Sequence, residues 1–184
     1  MIKRFNNFSF LIMFYLIGCS SPESSENIVQ DRHDQVSSNV EITLTKKGNI
    51  TAKIQSDILK KNNESLQLEL YDNVFVNLYD ENFMHKSLIK SQLAIVDEKD
   101  NLIKAFGNVS VVSNDGKKLL TDSLLWDNSS DKIFTEATLE FITSDTDTLH
   151  GKGFESNIDL TNWNILNPRG CLLYTSDAAD ETCR

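Results

Sequence analysis

Apolar residues recur at every second position through the middle of the chain. Leu68, Leu70, Val74 and Val76 share one parity; Ile103, Ala105, Val109 and Val111 share one in turn, as do Ile133, Ala137, Leu139 and Phe141. A period of two puts such residues on one face of a β-strand, and it disfavours helix throughout. Val, Ile and Thr are plentiful in these runs, as befits strands. Asp80-Glu81-Asn82, residues 97–101, Asn114-Asp115-Gly116, residues 128–131 and residues 144–147 interrupt the runs at short intervals with turn-forming side chains. The pattern predicts an all-β domain over residues 41–170.

The runs also repeat. "LELYDNVFV" (68–76) and "IKAFGNVSV" (103–111) lie 35 residues apart and share an aromatic, then Asp or Gly, then Asn-Val-x-Val. "IFTEATLEF" (133–141) keeps the alternation 30 residues further on, and Leu120-Thr121-Asp122-Ser123-Leu124 finds looser echoes at 88–92 and 149–153. Copies of about this length bury their apolar faces only against their neighbours. The expected architecture is an elongated, open β-jelly-roll of short antiparallel strands, whose end strands need capping or a partner.

The two ends depart from this pattern. Lys3 and Arg4 precede an apolar run at residues 8–17, shorter than the roughly 20 residues a membrane span needs, and Leu16-Ile17-Gly18-Cys19 follows directly. Residues 1–18 read as a signal peptide, and Leu-Ile-Gly-Cys resembles the bacterial lipobox, whose cysteine becomes the acylated first mature residue. Cys19 is then a lipid anchor; an ordinary signal peptide with an incidental cysteine is the alternative. Residues 19–40, rich in Ser, Asn and charge, are expected to be a flexible tether. Residues 171–184, "CLLYTSDAADETCR", share neither the alternation nor the composition of the rest. They look like a translated sequencing-library adapter and are left out of the fold; a true tail with Cys171 paired to Cys183 is the other reading.

Charge narrows the partners. The whole chain carries −9; removing Lys3 and Arg4 gives −11, and removing Asp177, Asp180, Glu181 and Arg184 returns −9 for residues 19–170. An acidic domain argues against nucleic acid and against charge-driven binding to an anionic surface. His33, His85 and His150 are far apart in sequence, so neither a metal nor another cofactor is expected, and no nucleophile sits beside a base. An enzyme is not expected.

The segments "NVFVNLYD", "AFGNVSVVSNDGKKLLTDSLLWD", "KIFTEATLEFIT" and "TLHGKGFESNIDLTNWNI" together resemble the LptC family, within the wider group that shares the OstA-like β-jelly-roll. The resemblance runs over about residues 66–169. Its most specific part is the order Gly-Asn-Val-x-Val, Leu-Thr-x-x-x-Leu-x-Trp-Asp, Ile-Phe-Thr and Gly-x-Gly-Phe. It implies an open jelly roll that accepts lipopolysaccharide from an inner-membrane LptBFG-like ABC transporter and passes it to an LptA-like periplasmic bridge of like folds. Attraction would come from acyl chains in an apolar groove, with Val74, Val76, Val109, Val111, Leu120, Leu124, Trp126, Leu139, Phe141 and Phe154 as lining candidates. The same residues also suit an ordinary core. Many family members use a transmembrane helix where this chain offers Cys19, which implies a lipid anchor on the periplasmic face of the inner membrane. Ser20 after the cysteine leaves the outer membrane as the alternative location. A protein-binding β-repeat lipoprotein and a surface carbohydrate-binding module are the competing functions.

Overall fold

The computed structural model of the protein describes residues 35–62, 64 and 66–170. They form nine strands: β1 (Gln35–Lys46), β2 (Asn49–Asn62), β3 (Gln67–Tyr79), β4 (His85–Asp97), β5 (Leu102–Ser113), β6 (Lys118–Asp127), β7 (Lys132–Ile142), β8 (Thr148–Asn157) and β9 (Trp163–Arg169). Each pairs antiparallel with its chain neighbours, so the sheet runs from β1 to β9 without a crossover. At about 4.8 Å per strand the sheet extends roughly 40 Å across its strands. The domain is all-β and open, as the alternation predicts. Strand β1 starts at Gln35, inside the stretch assigned to the tether, because its pairing with β2 begins at Gln35 opposite Lys61. The stretch expected to be a signal peptide, Cys19, the expected tether up to residue 34 and the tail after residue 170 lie outside the described residues.

The five turn clusters each join two strands, from β3–β4 to β7–β8. Their aspartates fix the turns by accepting backbone N–H groups. Asp80 Oδ1 takes those of Asn82 (2.9 Å) and Met84 (3.0 Å), Asp97 Oδ1 those of Lys99 and Asp100 (both 3.1 Å), and Asp127 Oδ1 that of Ser129 (2.8 Å).

A second line of irregularity crosses the middle of the sheet. The pairing register shifts between Gln55 and Ile58, Tyr71 and Val74, Lys90 and Leu93, Phe106 and Val109, Thr121 and Leu125, and Thr135 and Thr138. These breaks lie side by side, and a bulge bends the strand that carries it. Left-handed backbone marks them at Asp72 (φ 58), Asn73 (φ 47), Gly107 (φ 77), Asn108 (φ 49) and Gly153 (φ 79). The bend folds the sheet so that its two halves face each other. Ser87 Oγ of β4 donates across to the carbonyl of Ile158 (2.5 Å), and the Phe141 ring of β7 meets Trp163 of β9 at 4.7 Å.

The bend treats alternate strands differently. In β3, β5 and β7 the inward residues keep one parity through it: Leu70 then Val74, Ala105 then Val109, Thr135 then Leu139. In β4, β6 and β8 parity changes: Ser91 then Ala94, Thr121 then Leu124, Gly153 then Phe154. The clean repeats in the sequence are therefore the odd strands, and the looser echoes are the even ones. Ala137, grouped with the β7 parity set, lies in the bend and is only half-buried. Strand β1 holds a further copy that the pattern did not reveal, Asn39-Val40-Glu41-Ile42, with Asn39 again left-handed at φ 50.

Candidate functional site

The interior between the two halves is the apolar site the fold builds. Val74, Val76, Val109, Val111, Leu124, Trp126, Leu139, Phe141 and Phe154 all lie in it, none more than 6% exposed, alongside Ile54, Leu70, Leu78 and Ile89. They come from β3, β5, β6, β7 and β8, brought together by the bend rather than by sequence proximity. Phe141 stacks on Phe154 at 5.2 Å and on Trp163 at 4.7 Å, an aromatic group that reaches from the core to the β9 edge, where Trp163 is exposed.

Leu120 is the exception among the lining candidates. It is half-buried and faces outward, while Leu119 beside it is fully buried. The parity of Leu124 and Trp126, extended back through the bend, points to Leu120, but the change of parity between Thr121 and Leu124 moves the inward position to Leu119. Cys19, the expected lipidation site, lies outside the described residues.

Two polar atoms are buried in this apolar space without a hydrogen-bond partner among the described residues: the Trp126 indole Nε1 and the Ser91 hydroxyl. A buried donor left unpaired costs about 1–3 kcal/mol. Sequence reasoning singled out Trp126 for its place in the motif, but Ser91 carries no signal in the pattern, since polar residues in strands ordinarily face solvent.

Two glycines shape the same region. Gly107 sits in the β5 bend, where an added Cβ would lie 2.6 Å from Gln92 Oε1 of β4. Gly151 lets β9 approach β8, since its Cβ would lie 2.3 Å from Ile165 Cγ2 and 2.9 Å from the carbonyl oxygen of Asn167. The Gly-x-Gly segment thus supplies a close approach at Gly151 and a bend at Gly153.

The titratable groups with displaced pKa values are in the turns and not in the interior. Asp80, Asp97 and Asp127 are held below the ordinary 3.8, chiefly by the Met84 N–H, the Asp100 N–H and the Ser130 hydroxyl respectively. The Lys117 ammonium does the same for Asp115. These are structural carboxylates.

An antiparallel meander folded on itself, apolar within and, among the described residues, unpaired at its first and last strands, defines the class: an open, OstA-like β-jelly-roll. The chain belongs to the LptC family, since the family described as "Lipopolysaccharide-assembly, LptC-related" matches residues 8–169. Its role is accordingly in lipopolysaccharide transport, in the periplasmic part of the cell envelope. No curated protein matches the chain.

Proposed function

We propose that the protein takes lipopolysaccharide from an inner-membrane LptBFG-like ABC transporter and hands it to an LptA-like bridge, carrying the acyl chains between the two halves of its bent sheet. An acylated Cys19 holds it at the periplasmic face of the inner membrane, with residues 20–34 as tether. The two unpaired edges, β1 and β9, are where like folds add their own strands.

The observation that carries this reading is the apolar interior with the unpartnered Trp126 N–H and Ser91 hydroxyl inside it. A pure packing core is better off without such groups, whereas an acyl ester or amide offers the carbonyl the indole lacks. The interior is closed in this conformation. Within each half, backbone ladders hold the strands, but between the halves the contacts are made largely by side chains, so the halves can part without breaking the ladders. A chain entering that space regains about 25 cal/mol for each Å² of apolar surface it buries.

Copurification tests the proposal. The full chain extracted gently from source membranes is expected to carry lipopolysaccharide detectable by mass spectrometry, and Val111→Asp is expected to lose it. Val112→Asp, on the outward face, is the control and keeps the lipid, with circular dichroism confirming that both variants fold. Folded protein that carries protein neighbours but no lipid would favour the protein-binding alternative.

A further inference from the structure

The folded halves meet along a seam, and the Lys46 side chain is among those that cross it. Lys46, the last residue of β1, donates from Nζ to the carbonyl oxygens of Asn128 (2.8 Å) and Ser129 (2.9 Å) in the β6–β7 turn and lies 3.6 Å from the Asp131 carboxylate. Two clefts flank this crossing. One, of about 200 Å³, is lined by the apolar Leu44, Val96, Leu102 and Ile103 and by the polar Asp97, Glu98, Asn101 and Asn128. Val96 and Ile103 belong to the buried core, so this cleft leads into the interior. The other, of about 360 Å³, is polar and mixed in charge, lined by Lys46 itself, Lys47 and Lys86 and by the carboxylates Asp80, Glu81, Asp131 and Asp159.

Asn128 gives the crossing a further property. It is 7% exposed and lines the smaller cleft, yet Oδ1 has no hydrogen-bond partner among the described residues. A buried amide oxygen without a donor is costly.

We propose that this seam is the port through which an aliphatic chain reaches the interior, and that Lys46 is its latch. The inference rests on the lipid-transfer reading and adds where the lipid crosses. When Lys46 lets go of the two carbonyls, the β6–β7 turn is free to move away from β1. The chain then occupies the cleft between Leu44 and Ile103 while the polar head group stays on the Lys47 side. Asn128 Oδ1 accepts a hydrogen bond from a hydroxyl or amide N–H of the ligand. Lys46 is a positioning residue: its ammonium ties the end of β1 to the β6–β7 turn across the seam.

The test uses the full chain in membranes and a readout independent of lipid. Lys46→Met keeps the stem and removes the tie. It is expected to raise the rate of maleimide labelling at Ile103→Cys, under the seam, by about tenfold, the change in a local opening equilibrium that follows from losing a charge-assisted hydrogen bond. Labelling at Leu119→Cys, buried away from the cleft, is expected to stay as it was. Equal acceleration at both cysteines, or at neither, overturns the latch. Photo-crosslinkers at Leu44 and Leu102 separate this inference from the function beneath it. Lipopolysaccharide crosslinks at both positions, stronger in Lys46→Met, support the port. Crosslinks at Val111 with none at Leu44 or Leu102 overturn the port and leave lipid transfer standing. Crosslinks at none of the three overturn both.

Discussion

Trp126 is the residue on which packing and function make opposite demands. It is 1% exposed and its indole N–H has no partner among the described residues, so as a core residue it gives up some of the stability its area supplies. Trp126→Phe removes the orphan donor at the cost of some contact area. Its unfolding free energy is expected to stay within about 1 kcal/mol of the native protein's or to rise, while lipid crosslinking at Val111 falls. A large loss of stability with unchanged crosslinking would make Trp126 an ordinary packing residue. At Gly107 the issue is backbone: φ is +77, and β3 puts Asp72, at φ 58, in the matching place of its own bend. Gly107→Asp is therefore expected to cost roughly 1 kcal/mol in chemical denaturation, and Gly107→Val considerably more, because a β-branched residue is a true outlier in the left-handed region. Equal losses would mean that the contact with Gln92, and not the backbone angle, sets the cost.

At the scale of the strand, the alternation made β3, β5 and β7 legible but concealed the even strands. A two-residue insertion at the bend leaves a period of two intact, whereas the facing strand changes parity, which is why Leu120 was expected inward and Leu119 is the residue found there. The five turn clusters were readable because Asp, Asn and Gly carry their own reason for turning. The seam was not readable: Lys46 and Asn128 are 82 residues apart, and neither belongs to a motif. The turns also set the acid limit of the fold. Asp80, Asp97, Asp115 and Asp127 all have pKa values below the ordinary 3.8, so the stability they give is fully present above that value and is lost as pH falls through their lowered folded-state values. Thermal melting should therefore be flat in pH between about 7 and 5 as far as these groups are concerned, and should drop below about 4. Asp127→Asn should reduce that drop, while a melting point that rises on acidification would contradict the role given to the turns.

For the whole molecule, one bend line converts a flat meander into a container. Both halves are continuous through every strand, so the interior is built by backbone geometry and lined by whichever side chains share the inward face. The fold class, the open edges and the burial of nine of the ten lining candidates follow from alternation and repeat. The alternation does not distinguish a core from a lipid path, because both require apolar residues at the same positions. That distinction is physical: a path must admit a chain that a core excludes. A photo-crosslinker placed in turn at Val109, Ser110, Val111 and Val112 of β5, in cells exporting lipopolysaccharide, tests it most directly. Strand geometry sends alternate positions to opposite faces, with Val109 and Val111 inward and Ser110 and Val112 outward. Lipid crosslinks at 109 and 111 that fade at 110 and 112 are the predicted result. Equal crosslinking at all four positions, or none to lipid anywhere in the scan, would contradict the account.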